Sequence, residues 1–253
     1  MSGTALKSPS LAVQRGILGA VLLILCWEGL ARGLHLPSYV LPAVSDILTG
    51  IWSKRASLGE AAGYTLLEAL IGYLLGCLVG IGLAVIITML PAMRSVILPA
   101  ATAINSVPVV GYSPLILLWF GIGVVSKIVM VAMAVSFTVF LSTLAGLDRV
   151  DRRAVDLMRS FGAGRLNILW RLRLPTALPL VLAGMRVSTV RSVIVAIITE
   201  MLGAYGGLGW VIYQAVLQID FVQVWAAIFV ASAASLTFFG LIGWLERKIL
   251  FWK

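Results

Sequence analysis

Charge is scarce in this sequence. Asp, Glu, Lys and Arg make up 11% of its 253 residues, where a soluble domain carries roughly a quarter. With 61% hydrophobic residues and a mean hydropathy of +1.07, the chain lacks the polar surface to face water on all sides. Its solvent is largely lipid. Histidine occurs once, at His35, with no partner at catalytic or ligand spacing, which excludes a histidine-built metal site. Cysteine occurs twice, at Cys26 and Cys77, both inside apolar runs and read as small buried hydrophobes. No G-x-x-x-x-G-K-[ST] loop occurs, so the chain does not cradle ATP by that route. No low-complexity or Ser/Pro-rich stretch divides it, and residues 1–253 read as one domain. Acidic residues number 10 against 19 basic ones. The basic ones lie between apolar runs, where membrane topology accounts for them without a nucleic-acid partner.

What is abundant is long apolar sequence. A bilayer core about 30 Å thick needs about 20 mostly apolar helical residues. Six stretches qualify, roughly 15–34, 62–90, 96–120, 125–147, 177–203 and 222–245, which predicts an all-α polytopic membrane protein. Glu28 interrupts the first run where a cleaved signal peptide would end, so that run is read as a helix of the mature protein. Pro99, Pro108 and Pro114 break the third, a pattern that survives at membrane depth only against protein or water. Gly72, Gly76, Gly80 and Gly82 suit close helix packing. The segment 44–52 reads as an interfacial helix.

The basic residues divide unevenly between the two sides. Lys7, Arg15, Arg94, the arginines of 149–173, Arg247, Lys248 and Lys253 share one side; only Arg32, Lys54, Arg55 and Lys127 share the other. By the positive-inside rule both termini and the 148–176 loop are cytoplasmic.

That loop reads as helix, glycine turn, helix, then Pro175 at the start of the next span. Asp148 or Asp151 suits the first cap, and Gly162 and Gly164 suit a left-handed stop. Val155, Met158 and Phe161 form an apolar stripe at three-residue spacing, as a helix docking in a partner's groove requires. Glu28, Glu68, Arg186, Arg191 and Glu200 lie in or beside apolar spans, where charge is costly unless paired or wetted. Glu68 with Arg186 is one structural pairing. Arg191, about 140° around the helix from Arg186, is the candidate for an anionic solute. Arg186, Glu200, Asn105, Ser106 and Tyr112 are the other solute-path candidates.

Asp156, Gly162, Leu172, Leu174 and Pro175 keep the spacing of the EAA loop of ABC-importer permeases. Asp156 stands for the usual Glu, and Leu157-Met158 for the usual alanines. Leu36-Pro37-Ser38, Asn105-Ser106-Val107-Pro108, Leu118 to Gly123 and Glu200 to Gly209 resemble the nitrate/sulfonate/taurine branch of that family. The resemblance implies a type I ABC importer permease fold and a homodimer in the bacterial inner membrane. It also implies two cytoplasmic ATPase subunits that bind ATP and Mg, and an extracytoplasmic binding protein that delivers a small anionic solute. No cofactor is expected on this chain. In that family the loop's first helix couples to the ATPase, which assigns Asp156, Met158, Arg159, Ser160, Phe161, Gly162, Ala163 and Pro175 to coupling. An ion-gradient-driven secondary transporter and a membrane enzyme are the competing readings. The first gives the loop no task, and the second finds no His/Cys/carboxylate cluster.

Overall fold

A computed structural model describes residues 9–249, and every regular element in that range is helical. Lys7 and Lys253, counted above for orientation, lie outside the described residues. In chain order the helices are α1 (Pro9–Gly33), α2 (Val44–Ser53), α3 (Arg55–Met89), α4 (Arg94–Ser106), α5 (Val109–Phe120) and α6 (Val124–Asp148). There follow α7 (Arg152–Ser160), α8 (Arg165–Ile168), α9 (Leu174–Leu202), α10 (Leu208–Leu217) and α11 (Phe221–Ile249). The helices α1, α3, α6, α9 and α11 are each long and apolar enough to cross a bilayer. The pair α4 and α5, bent by 94°, makes a sixth when the two are counted as one broken span. The cause is local: Pro108 pushes Val107 out of helical backbone, to φ −81° and ψ 128°.

Tight packing of α3, α6 and α9 builds the core, with Tyr73, Cys77, Val131, Val135, Val193 and Ala196 buried between them. Glycine makes the approach possible. A Cβ at Gly76 would lie 2.8 Å from the Ala132 carbonyl oxygen, and one at Gly72 would lie 2.6 Å from Val131 Cβ. Gly80 approaches α6 in the same way, but Gly82 faces open space and takes no part. Gly76→Val should therefore destabilise the fold by about 1–3 kcal/mol, whereas Gly82→Val should be close to neutral. Thermal survival of the two variants in detergent separates them, and equal survival would refute this packing account.

A second cluster joins α2, α3, α10 and α11 through Ile47, Leu58, Leu208, Ile212, Ala226 and Ala227. Its membership revises the reading of 44–52: the helix exists, but Val44 and Ile47 are buried by protein rather than lying along lipid. Cys77 is buried as expected. Cys26 is exposed, because α1 lies outside the bundle and little covers it.

Polar ties gather at two ends. At one, Arg94 makes a bidentate contact with Asp148, at 3.3 and 2.8 Å. At the other, Glu28 accepts from Arg32 Nε at 2.6 Å and Ser45 Oγ at 2.7 Å. There too Lys54 Nζ donates to Asp220 Oδ2 at 3.0 Å. Partial burial raises the Asp220 carboxyl, while Lys54 and the Gln223 N–H bring it to below its ordinary value. His35 sits in this end's first loop at φ 50°, exposed.

Candidate functional site

Three groups of residues stand out from this frame. The first is the 149–173 loop. Asp151 caps α7 by accepting from Arg153 N at 2.9 Å, which leaves Asp148 to Arg94. Gly162, at φ 78°, closes the helix. Its N–H donates to Arg159 O at 2.8 Å, and that of Ala163 donates to Met158 O at 2.9 Å. These two bonds with a left-handed residue between them form a Schellman stop. Gly164, expected above to be left-handed, is not: at φ −69° and ψ 164° it is extended and opens α8.

The stripe expected on α7 divides. Val155 is 6% exposed and faces its own chain, and Met158 is half-buried. Phe161 is 83% exposed, and Leu157, Leu166 and Trp170 are exposed with it. Three-residue steps drift around a 3.6-residue helix, so 155, 158 and 161 cannot share one face closely. The exposed apolar pairs, 157 with 161 and 166 with 170, keep the four-residue spacing instead. Sequence reading missed Leu157, Leu166 and Trp170, although that spacing was visible. Asp156, Arg159 and Ser160 are exposed; Asp156 pairs with Arg159 at 3.3 Å, and Ser160 Oγ donates to Leu157 O. Between Leu169 and Arg173 the helix widens to a π-turn. Pro175 follows it, and the wider turn accommodates a residue with no N–H and a ring that crowds the preceding carbonyls.

The second group lies under the bend between α4 and α5. A cavity of about 210 Å³ is lined mainly by apolar side chains, with Asn105, Tyr112 and Ser136 as its polar members. Asn105 Oδ1 accepts from Arg191 Nη2 at 3.1 Å, and Thr138 Oγ1 accepts from Nη1 at 3.2 Å. Arg191 is thus held by neutral oxygens, and among the described residues no carboxylate reaches within 4.0 Å of it. Ser106 and Tyr112 satisfy backbone instead, donating to Thr102 O and Ile104 O at 2.8 Å.

Two expected members of the solute path lie elsewhere. Arg186 turns to α11, pairing with Glu246 at 3.5 Å and stacking on Phe239 at 4.5 Å. It is therefore not the partner of Glu68. Glu200 is fully buried and accepts from Thr65 Oγ1 at 2.8 Å and from Gly209 N at 2.7 Å. Thr65 Oγ1 accepts in turn from Leu208 N at 2.8 Å. A side chain at Gly207 would run into the Glu200 carboxylate. The loop 203–208 therefore folds directly over that acid.

Glu68 and Lys127 complete the third group. Glu68 faces Glu200 and Lys127. Lys127 is fully buried, and its Nζ donates to the carbonyls of Ile122 and Gly123. Sequence reading counted Lys127 only among the outer-side basic residues, since nothing local marks a lysine at a helix start as buried.

The family described as "Binding-protein-dependent transport system inner membrane component" matches residues 72–251. The chain belongs to this family. The permease is 30% identical over 234 residues to a probable ABC transporter permease protein of Haemophilus influenzae, covering 92% of this chain and 95% of that one. It is 29% identical over 242 residues to the taurine transport system permease protein TauC of Escherichia coli, covering 92% and 87%. Its fold matches a crystal structure of an amino acid ABC transporter with a TM-score of 0.65 at 18% identity, covering 79% of this chain and 97% of that one. The permease is thus a multi-pass transmembrane subunit of an ABC importer. It is a transport component, not an enzyme.

Proposed function

We propose that this permease passes a small anionic solute, of the sulfonate or taurine kind, through a path that includes Arg191 and Asn105. One observation carries the reading: Arg191 is a cation within a span whose guanidinium meets only neutral oxygens. An intramembrane charge without a structural counter-ion is a functional candidate. The relative named for taurine transport supports an acidic solute. The apolar cavity beside Asn105 gives the solute's uncharged part a surface.

The partners in this reading are a second copy of the chain, two cytoplasmic ATPase subunits that hold ATP and Mg, and an extracytoplasmic binding protein. The 149–173 loop faces the cytoplasm of the bacterial inner membrane, and its exposed row of Leu157, Phe161, Leu166 and Trp170 docks on the ATPase. Asp156, Met158, Arg159, Ser160, Ala163 and Pro175 shape that docking surface. ATPase-state changes then select between two access states of the path.

Two experiments test this. Arg191→Ala should abolish most ATP-driven uptake in proteoliposomes while leaving assembly and basal ATPase largely intact. Arg191→Lys should be milder, since it keeps the charge without the planar fork. A variant that fails to insert or assemble would make the residue structural. For topology, cysteines placed at Ser53 and Ser160 should react with an impermeant thiol reagent from opposite sides, Ser53 from outside. Labelling of both from one side would end the six-span arrangement.

A further inference from the structure

The 149–173 loop has a second face, turned toward its own chain. Between it and the end of α3 lie two adjoining cavities of about 490 and 130 Å³, which share Val155, Arg159 and Arg173. Val155 and Ile168, which line them from the loop, are both buried. The cleft therefore lies behind the exposed row of Leu157, Phe161, Leu166 and Trp170, none of which lines it. Its charge is unbalanced. Arg94, Arg152, Arg159, Arg165 and Arg173 line it against only two carboxylates, Asp148 and Asp156. Both acids are already engaged, Asp148 by Arg94 at 2.8 Å and Asp156 by Arg159 at 3.3 Å. Among the described residues no carboxylate lies within 4.0 Å of the Arg152, Arg165 or Arg173 side chain. Arg173 is half-buried and lines both cavities. The facing wall is Thr88, Met89 and Pro91, where a span ends. Beside that wall the surface is apolar and bare, with Leu90, Met93 and Val96 all exposed.

We propose that this cleft binds the phosphate of an anionic phospholipid, drawn from the leaflet at this end of the bundle. Guanidinium groups suit a phosphate because their planar fork meets two of its oxygens at once. Arg173 and Arg165 are its chief ligands, and Arg152 adds to the field. Basic pockets beside membrane spans are where anionic headgroups collect. The apolar edge favours a lipid over a free phosphate: Leu90, Met93 and Val96 give acyl chains a surface next to the arginines, so one molecule meets both. The headgroup is anionic because a zwitterionic one would bring its own ammonium into a cleft already rich in cations. The inference uses only the spans and the loop, and it stands whether or not Arg191 meets the solute.

Native mass spectrometry of the full-length chain in detergent tests the site, with dioleoyl-phosphatidylglycerol as probe and dioleoyl-phosphatidylcholine as its zwitterionic counterpart. The first adduct of the glycerol lipid should form at least about tenfold more tightly than that of the choline lipid. Arg173→Gln should weaken it about tenfold, as expected on losing a hydrogen bond between charged groups. Arg165→Gln should weaken it about fivefold and, being exposed, decides the matter if Arg173→Gln does not fold. Arg171→Gln should leave it unchanged, because Arg171 is exposed on the same loop but lines neither cavity. Equal binding of the two lipids, wild-type affinity in both cleft variants, or an equal loss in Arg171→Gln would overturn the proposal. Displacement of the lipid by millimolar ammonium phosphate, at an ionic strength where ammonium acetate does nothing, would give the site to free phosphate and overturn it too. In the assembled transporter the adduct should persist, since the cleft lies behind the docking row. Its expulsion by the bound ATPase would hand these arginines to acidic side chains of that partner and sink the lipid site.

Discussion

Phe161→Ala should cut recovery of the ATPase on the permease by roughly 30-fold in affinity, with insertion and helix content unchanged. Phe161 is the most exposed large apolar side chain of the described residues, at the C-cap of α7. A ring held out in this way on a capped helix serves as a buried anchor only once a partner covers it, and truncating such an anchor commonly costs about 2 kcal/mol or more. Gly162→Val should act with it by another route. The position has φ 78° and no atom within 4 Å of a built Cβ. The penalty is therefore one of backbone conformation rather than collision, about 1–2 kcal/mol against the Schellman stop. Losing that stop re-aims Phe161 away from Leu166 and Trp170. A pull-down normalised to membrane expression measures both variants. Wild-type recovery in both would mean that the row rests on lipid and does not couple.

Glu200→Ala should lower the thermal midpoint of the permease in detergent by about 6–12 °C, corresponding to about 3 kcal/mol or more for a chain of this size. The substitution strands the Gly209 N–H, costing about 1–3 kcal/mol when buried without a partner, while the Thr65 hydroxyl falls back on the Ala61 carbonyl at 3.2 Å. It also leaves a void under Gly207. Thr65→Val should cost less, because it orphans the Leu208 N–H and takes one donor from Glu200, which keeps the Gly209 N–H, and it opens no comparable void. Should Glu200→Ala melt with the wild type, the 203–208 loop is held by something other than this acid.

These two sites show what was legible in the sequence and what was not. The apolar spans, a break in the third and the Gly162 stop each follow from a local rule of apolar length, proline sterics or capping. Of the three prolines only Pro108 breaks the helix, Pro99 and Pro114 lying inside α4 and α5, and the choice of Asp151 over Asp148 as cap came from the structure. The fold class and the loop's outline were therefore readable residue by residue. Which face of α7 stays bare depends on how Val155 packs against the rest of the chain, and only the tertiary arrangement decides that. Glu200 and Thr65 are 135 residues apart, and Lys127 belongs to a third helix. No periodicity within any one segment announces that they meet. For the same reason, pairing Glu68 with Arg186 was reasonable by charge alone, yet Arg186 meets Glu246 of α11.

The π-turn at Leu169–Arg173 has a mechanical consequence. By absorbing Pro175 without a break, it makes Arg165–Leu202 a single rod of 38 residues, about 57 Å long at 1.5 Å per residue. Phe161 sits just before one end, Arg191 lies about 39 Å along, and Glu200 is near the far end. Such a rod acts as a lever. A tilt of about 5° about the docked end displaces Arg191 by about 3 Å and the far end by about 5 Å at this rise. The first is enough to break both of its hydrogen bonds to Asn105 and Thr138. In the proposed function, a small rocking of the ATPase surface would therefore reach the path as a change of hydrogen-bond partners, with no element having to unfold.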